Sequence, residues 1–148
     1  DDEFDHRAWL TELAQMRLAD TGDPDTAITD AMTHASARAL TELGIGTILC
    51  ISGSGFTVRS MARFRPAARI LGFSSNERTV RQLTLSWGTE PFHLSEDGDI
   101  ERRVLAALNL AREQGHVAVD ELVAVLAGTD VRSRSTNVLR VERVAGPD

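Results

Sequence analysis

The sequence predicts an α/β fold: three layers, α/β/α, built on a mostly parallel five-stranded sheet whose last strand runs antiparallel at the edge. The apolar runs at 47–51, 69–73 and 121–126 are too short for helices and too uniformly apolar for one-sided strands, and stretches of helical spacing separate them. Alternation of that kind places helices on both faces of a parallel sheet. The loop at 129–135 is too short for a helical crossover, so the final strand must fold back on its predecessor.

In order along the chain, Phe4, Ala8, Trp9, Leu13 and Met16 form a helical stripe, with Asp2, Glu3 and Asp5 at its dipole-favoured start. The turn Thr21-Gly22-Asp23-Pro24 follows, which divides the chain into a connector helix and linker at 1–25 and a domain at 26–148. The chain opens on Asp, and a start at Met16 would cut the first helix away, so a processed or excised N-terminus is expected. Thr26–Leu43 is the next helix, with Ile28, Met32, Ala35, Ala39, Leu40 and Leu43 as its apolar side and Gly44 as its stop. Thr47–Ile51 is the first strand, and a Gly-Ser turn opens a helix running to Arg65-Pro66. Arg69–Phe73 is the second strand; Ser74 and Glu77 have capping-box spacing ahead of a helix carrying Val80, Leu83 and Leu85.

Thr89–Leu94 reads as a third strand weakened by Pro91. Asp97 or Asp99 can cap a long helix bearing Ile100, Val104, Leu108 and Ala111, which Gly115 ends. Glu121–Leu126 is the fourth strand, and Thr136–Val144 is a last, half-exposed one in which Val138, Val141 and Val144 alternate.

Composition removes several classes of function. At 148 residues and 42% hydrophobic, the chain can bury one real core. A net charge of −6, with sixteen basic residues spread along the chain and no lysine among them, argues against a nucleic-acid surface. No apolar run approaches a membrane span, and no signal-peptide pattern opens the chain. The one cysteine, Cys50, lies inside a strand and cannot staple the fold, which suggests a reducing compartment and a cytoplasmic location. His6, His34, His93 and His116 lack metal spacing, so no metal site is expected, and no residue is singled out as catalytic.

The stretch Ser52-Gly53-Ser54-Gly55-Phe56-Thr57 sits where a strand hands over to a helix. Glycines there let the backbone approach a ligand, and the first helical amides with the dipole favour an anion. On its residues alone the stretch is either such a cradle or plain turn chemistry. A nucleotide-triphosphate loop is excluded, since it requires lysine, and a dinucleotide fingerprint would need a third glycine where Val58 stands. A small phosphate or carboxylate remains, with Arg59, Arg63 or Arg65 as available cations.

Five motifs stand in order along the chain: Ala27-Ile28-Thr29-Asp30-Ala31, Ser54-Gly55-x-Thr57, Ala62-Arg63-Phe64-Arg65-Pro66, Arg81-Gln82-Leu83-x-Leu85-x-Trp87-Gly88-x-x-Pro91 and Ser135-Thr136-Asn137-x-x-x-Val141. Together they give the chain a resemblance to the C-terminal, allosteric α/β domain of pyruvate kinase. It implies a regulatory and assembly domain without catalytic residues, in an enzyme that converts phosphoenolpyruvate and ADP to pyruvate and ATP using magnesium and potassium bound elsewhere. It also implies a phosphorylated effector, a sugar phosphate or nucleotide. Ser52, Ser54, Gly55 and Thr57 would hold the phosphate, while Arg134 and Ser135 would lie on a loop closing over it. Gly53 and Phe56 stand in the same loop where many members carry basic side chains. Self-association through the edge strand 136–144 is expected. The alternative is a free-standing domain of this fold that binds a phosphorylated metabolite or a protein partner.

Overall fold

The computed structural model describes residues 24–95, 98–128 and 136–147. The described elements are α1 (Pro24–Leu43), β1 (Thr47–Ile51), α2 (Phe56–Arg63), β2 (Arg69–Ser74), α3 (Glu77–Leu83), β3 (Thr89–His93), α4 (Ile100–Glu113), β4 (Leu122–Ala127) and β5 (Val138–Arg143). Five strands form one sheet in the order β3-β2-β1-β4-β5. The first four are mutually parallel, with Leu49 opposite both Leu71 and Val125, while β5 runs antiparallel to β4 with Val141 opposite Ala124. This is the predicted α/β architecture.

Burial on both faces explains why β1 is apolar from Ile48 to Ile51, after a buried Thr47. Ile48, Cys50, Ile70, Ala124 and Leu126 point to one side, against Leu40 of α1, Val58 and Met61 of α2 and Leu83 of α3. Leu49, Ile51, Leu71, Phe73 and Val125 point to the other, against Val104, Leu108 and Ala111 of α4. Pro91 is tolerated because β3 is an outer strand.

Several local expectations give way to tertiary packing. The buried face of α1 is Thr29, Asp30, Thr33, Ser36, Ala37 and Leu40, whereas Ile28 is 42% and Leu43 53% exposed. Hydroxyls can be buried there because they bond to carbonyls one turn back, as Thr33 does to Thr29 O and Ser36 to Met32 O. The cap of α3 is Asn76, whose Oδ1 accepts from the Arg78 and Thr79 amides. Ser74, the expected cap, instead donates to Gly53 O at 3.0 Å. Helix α3 ends at Leu83, so Leu85 lies beyond it and is 90% exposed. α2 stops at Arg63, short of Arg65-Pro66. Asp99 caps α4; Asp97, the other candidate, lies outside the described residues. On β5, Leu139 packs against the core while Val141 is 42% exposed. The connector helix at the N-terminus also falls outside the described residues, and α1 already begins at Pro24.

Candidate functional site

Strand order sets the place of the site. After β1 the chain winds outward to β2 and β3, then returns through α4 to β4 on the opposite side of β1. The carboxyl ends of β1 and β4 therefore flank the point where the order reverses, the usual crevice for ligands in open α/β sheets. The Gly-Ser loop leaves β1 there, and Gly128 leaves β4 beside it.

The loop is held by its own side chains. Ser52 Oγ accepts from the Gly55 amide at 3.0 Å and the Thr57 amide at 3.4 Å, and Ser54 Oγ accepts from the Phe56 amide at 3.3 Å. Gly53 O takes hydroxyls from Ser74 and, at 3.1 Å, Thr79. Among the described residues the Gly53 and Ser54 amides make no such bond, which leaves two exposed donors at the tip. Gly55 precedes α2 with φ 82°, and a Cβ there would lie 2.7 Å from Arg59 Nη1 and 3.0 Å from Thr79 Cγ2. Only glycine fits that position.

Of the predicted site residues, Gly53 and Ser54 are exposed, Ser52 and Gly55 are buried, and Phe56 is half-buried. Thr57 is buried and its hydroxyl bonds that of Thr136, at the head of β5, whose amide donates to Thr29 Oγ1 at 3.3 Å. Arg134 and Ser135 lie outside the described residues. Arg59 reaches the loop, donating to Ser54 O at 3.2 Å. Arg63 and Arg65 do not; they line a separate cleft on the flank of α2.

Sequence reasoning missed Arg103. This arginine of α4 is 4% exposed, lines the narrow crevice with Ser52, Gly53, Ser74 and Ser75, and donates from Nη2 to Gly128 O at 2.8 Å. The signal was its phase: Arg103 lies three residues after Ile100 and four before Ala107, on the core side of an otherwise apolar stripe. Its guanidinium thus lies at the switch point, on the crevice that the Gly-Ser loop also lines.

Elsewhere, burial pushes the Cys50 thiol up to about 12. The hydrogen bond from Arg140 holds the Glu101 carboxyl below its ordinary value, and the same bond raises the Arg140 guanidinium. Among the described residues no group of three His, Cys, Asp or Glu could hold a metal ion, and no helix is long and apolar enough to cross a membrane.

The doubly covered, mostly parallel sheet with a glycine loop at its switch point defines a domain of the open α/β class. Residues 30–142 match the family described as "Pyruvate kinase, alpha/beta domain", and the chain belongs to that family. Among curated relatives, a pyruvate kinase from Lactobacillus delbrueckii subsp. bulgaricus is 29% identical over 116 residues, covering 78% of this chain and 20% of the relative. One from Thermococcus litoralis is 30% identical over 139 residues, covering 93% of this chain and 26% of the relative. The chain thus spans between a fifth and about a quarter of the length of these relatives. A pyruvate kinase from Cryptosporidium parvum superposes with a TM-score of 0.74 at 17% identity, over 97% of this chain and 27% of that one, a likeness of fold.

Proposed function

We propose that this chain is the regulatory and assembly domain of a pyruvate kinase, and that it binds a phosphorylated small molecule at the switch-point crevice. The observation that carries the ligand reading is the convergence of the exposed Gly53 and Ser54 amides with the buried Arg103 at the carboxyl end of β1. Ser52, Gly55 and Thr57 hold the loop's shape from within, while Gly53 and Ser54, with half-buried Phe56, present its outer surface. Arg134 and Ser135, in the segment before β5, would complete the site. The intact enzyme would move a phosphoryl group from phosphoenolpyruvate to ADP with magnesium and potassium, using residues outside this domain. Assembly would use residues 136–144, since β5 is an edge strand with one side of its ladder unpaired.

The test is a thermal melt of the chain with a hexose bisphosphate, a hexose monophosphate and a nucleoside monophosphate in turn. At about 100 times its dissociation constant a true ligand stabilises by about 2.7 kcal/mol. Ser54→Glu sets a carboxylate at the exposed tip and should abolish that shift without unfolding the protein. No shift with any of the three, or a hexose-phosphate shift that survives Ser54→Glu, would overturn the assignment.

A further inference from the structure

A second cluster of cations lies on the flank of α2 and meets the Gly-Ser loop only through Arg59. Arg59, Ala62 and Arg63 share one face of α2, and with Arg65, Ser86 and Trp87 they line an open cleft of about 280 Å³. The Arg65 guanidinium sits 5.5 Å from the centroid of the Trp87 ring, a cation–π contact. Arg65 follows the end of α2 with φ 46°, its amide donating to Ala62 O at 3.0 Å. The chain carries a net charge of −6, yet among the described residues none of these three guanidiniums pairs with a carboxylate. Arg38, Arg112 and Arg140 all do. Arg59 spends one N–H on Ser54 O; the remaining donors of the cluster face the cleft or solvent.

We infer that this cleft is a second, separate ligand site, for a nucleoside phosphate. Arg59 and Arg63, four residues apart on the helix, offer forked donors to phosphate oxygens. The half-exposed indole of Trp87, already faced by Arg65, offers a flat surface to a base. A bare oxyanion would use the arginines and leave the indole idle; a planar group joined to phosphate uses both.

Trp87 is also the reporter. The chain has two tryptophans, so in Trp9→Phe the indole fluorescence belongs to Trp87 alone. ADP titrated into that variant should change the emission saturably, with adenosine alone and inorganic phosphate alone each binding more weakly. Arg63→Glu, an exposed position, should weaken ADP by about tenfold or more, the loss of a charge-assisted bond. Ser54→Glu, which sets a carboxylate beside Arg59, should weaken it less than Arg63→Glu does. Absence of a saturable change at millimolar ADP overturns the inference. So does a change abolished by Ser54→Glu and not by Arg63→Glu, which puts the nucleotide on the loop. Phosphate binding as tightly as ADP also overturns it, because the indole would then play no part.

Discussion

Cys50 offers an unusually clean test of the core. It is fully buried in β1, and desolvation pushes its thiol from 9.0 up to about 12. A thiol raised on folding stays protonated in the native state at a pH where the unfolded chain has already released its proton. Stability from this group is therefore fully present below about pH 9 and is lost as pH rises toward about 12. Each pH unit inside that window removes roughly 1 kcal/mol, so the whole loss is of the order of a few kcal/mol. Total stabilities of such domains are about 5–15 kcal/mol, which makes the effect large.

The sequence removes the usual confusion. It contains no lysine and no tyrosine, so Cys50 is the one side chain that titrates between the amino terminus and the arginines. Urea unfolding followed by circular dichroism from about pH 8 to about pH 11 should show the wild type falling steadily. Cys50→Ala should start lower, because a packed sulfur is gone, and then stay flat. Parallel curves for the two proteins would refute the reasoning, since the alkaline loss would then come from another source.

Other perturbations test other contacts. Gly72→Ala would place a Cβ 3.0 and 3.2 Å from the methyls of buried Val58 and 3.4 Å from Leu83, and should cost about 1–3 kcal/mol in urea; an unchanged midpoint would show that α2 yields freely. Asn76→Ala should cost about 1 kcal/mol by uncapping α3, and Glu77→Ala should cost less; the reverse order would restore Ser74 and Glu77 as the cap. The Glu101 carboxyl is depressed by Arg140, so its contribution is present above about pH 4.3 and lost as pH falls through its lower folded value. Glu101→Gln should accordingly flatten the acid limb of the stability profile, and an unchanged limb would assign that limb to other carboxylates.

Legibility in the sequence tracked how local each cause was. β1 was readable to its last residue, because burial on both faces demands apolar side chains and Ile48 to Ile51 supply four in succession. The antiparallel β5 followed from connection length alone. The inner face of α1 was not readable, since hydropathy cannot distinguish a threonine facing water from one whose hydroxyl is satisfied by its own helix. Ser74 and Asn76 were both competent caps, and the choice was made by Gly53 O, twenty-one residues away in sequence, which claims the Ser74 hydroxyl. Arg103 escaped for the same reason: its partner, the carbonyl of Gly128, is twenty-five residues on and reaches α4 only once β4 is in the sheet.

The site and the edge strand share a junction. The side chain of Thr57, in the first turn of α2, bonds Thr136, and the amide of Thr136 reaches Thr29 on α1. All three residues are buried, so an unpaired hydroxyl or amide among them would cost about 1–3 kcal/mol. The head of β5 is therefore tied to the same turn that Ser52 caps from the other side. An anion drawn to the Gly53 and Ser54 amides competes with no existing bond there, but any pull that moves Ser52 off the Thr57 amide displaces Thr57, and with it Thr136. The loop and the outer edge of the sheet are thus joined by one short chain of hydrogen bonds.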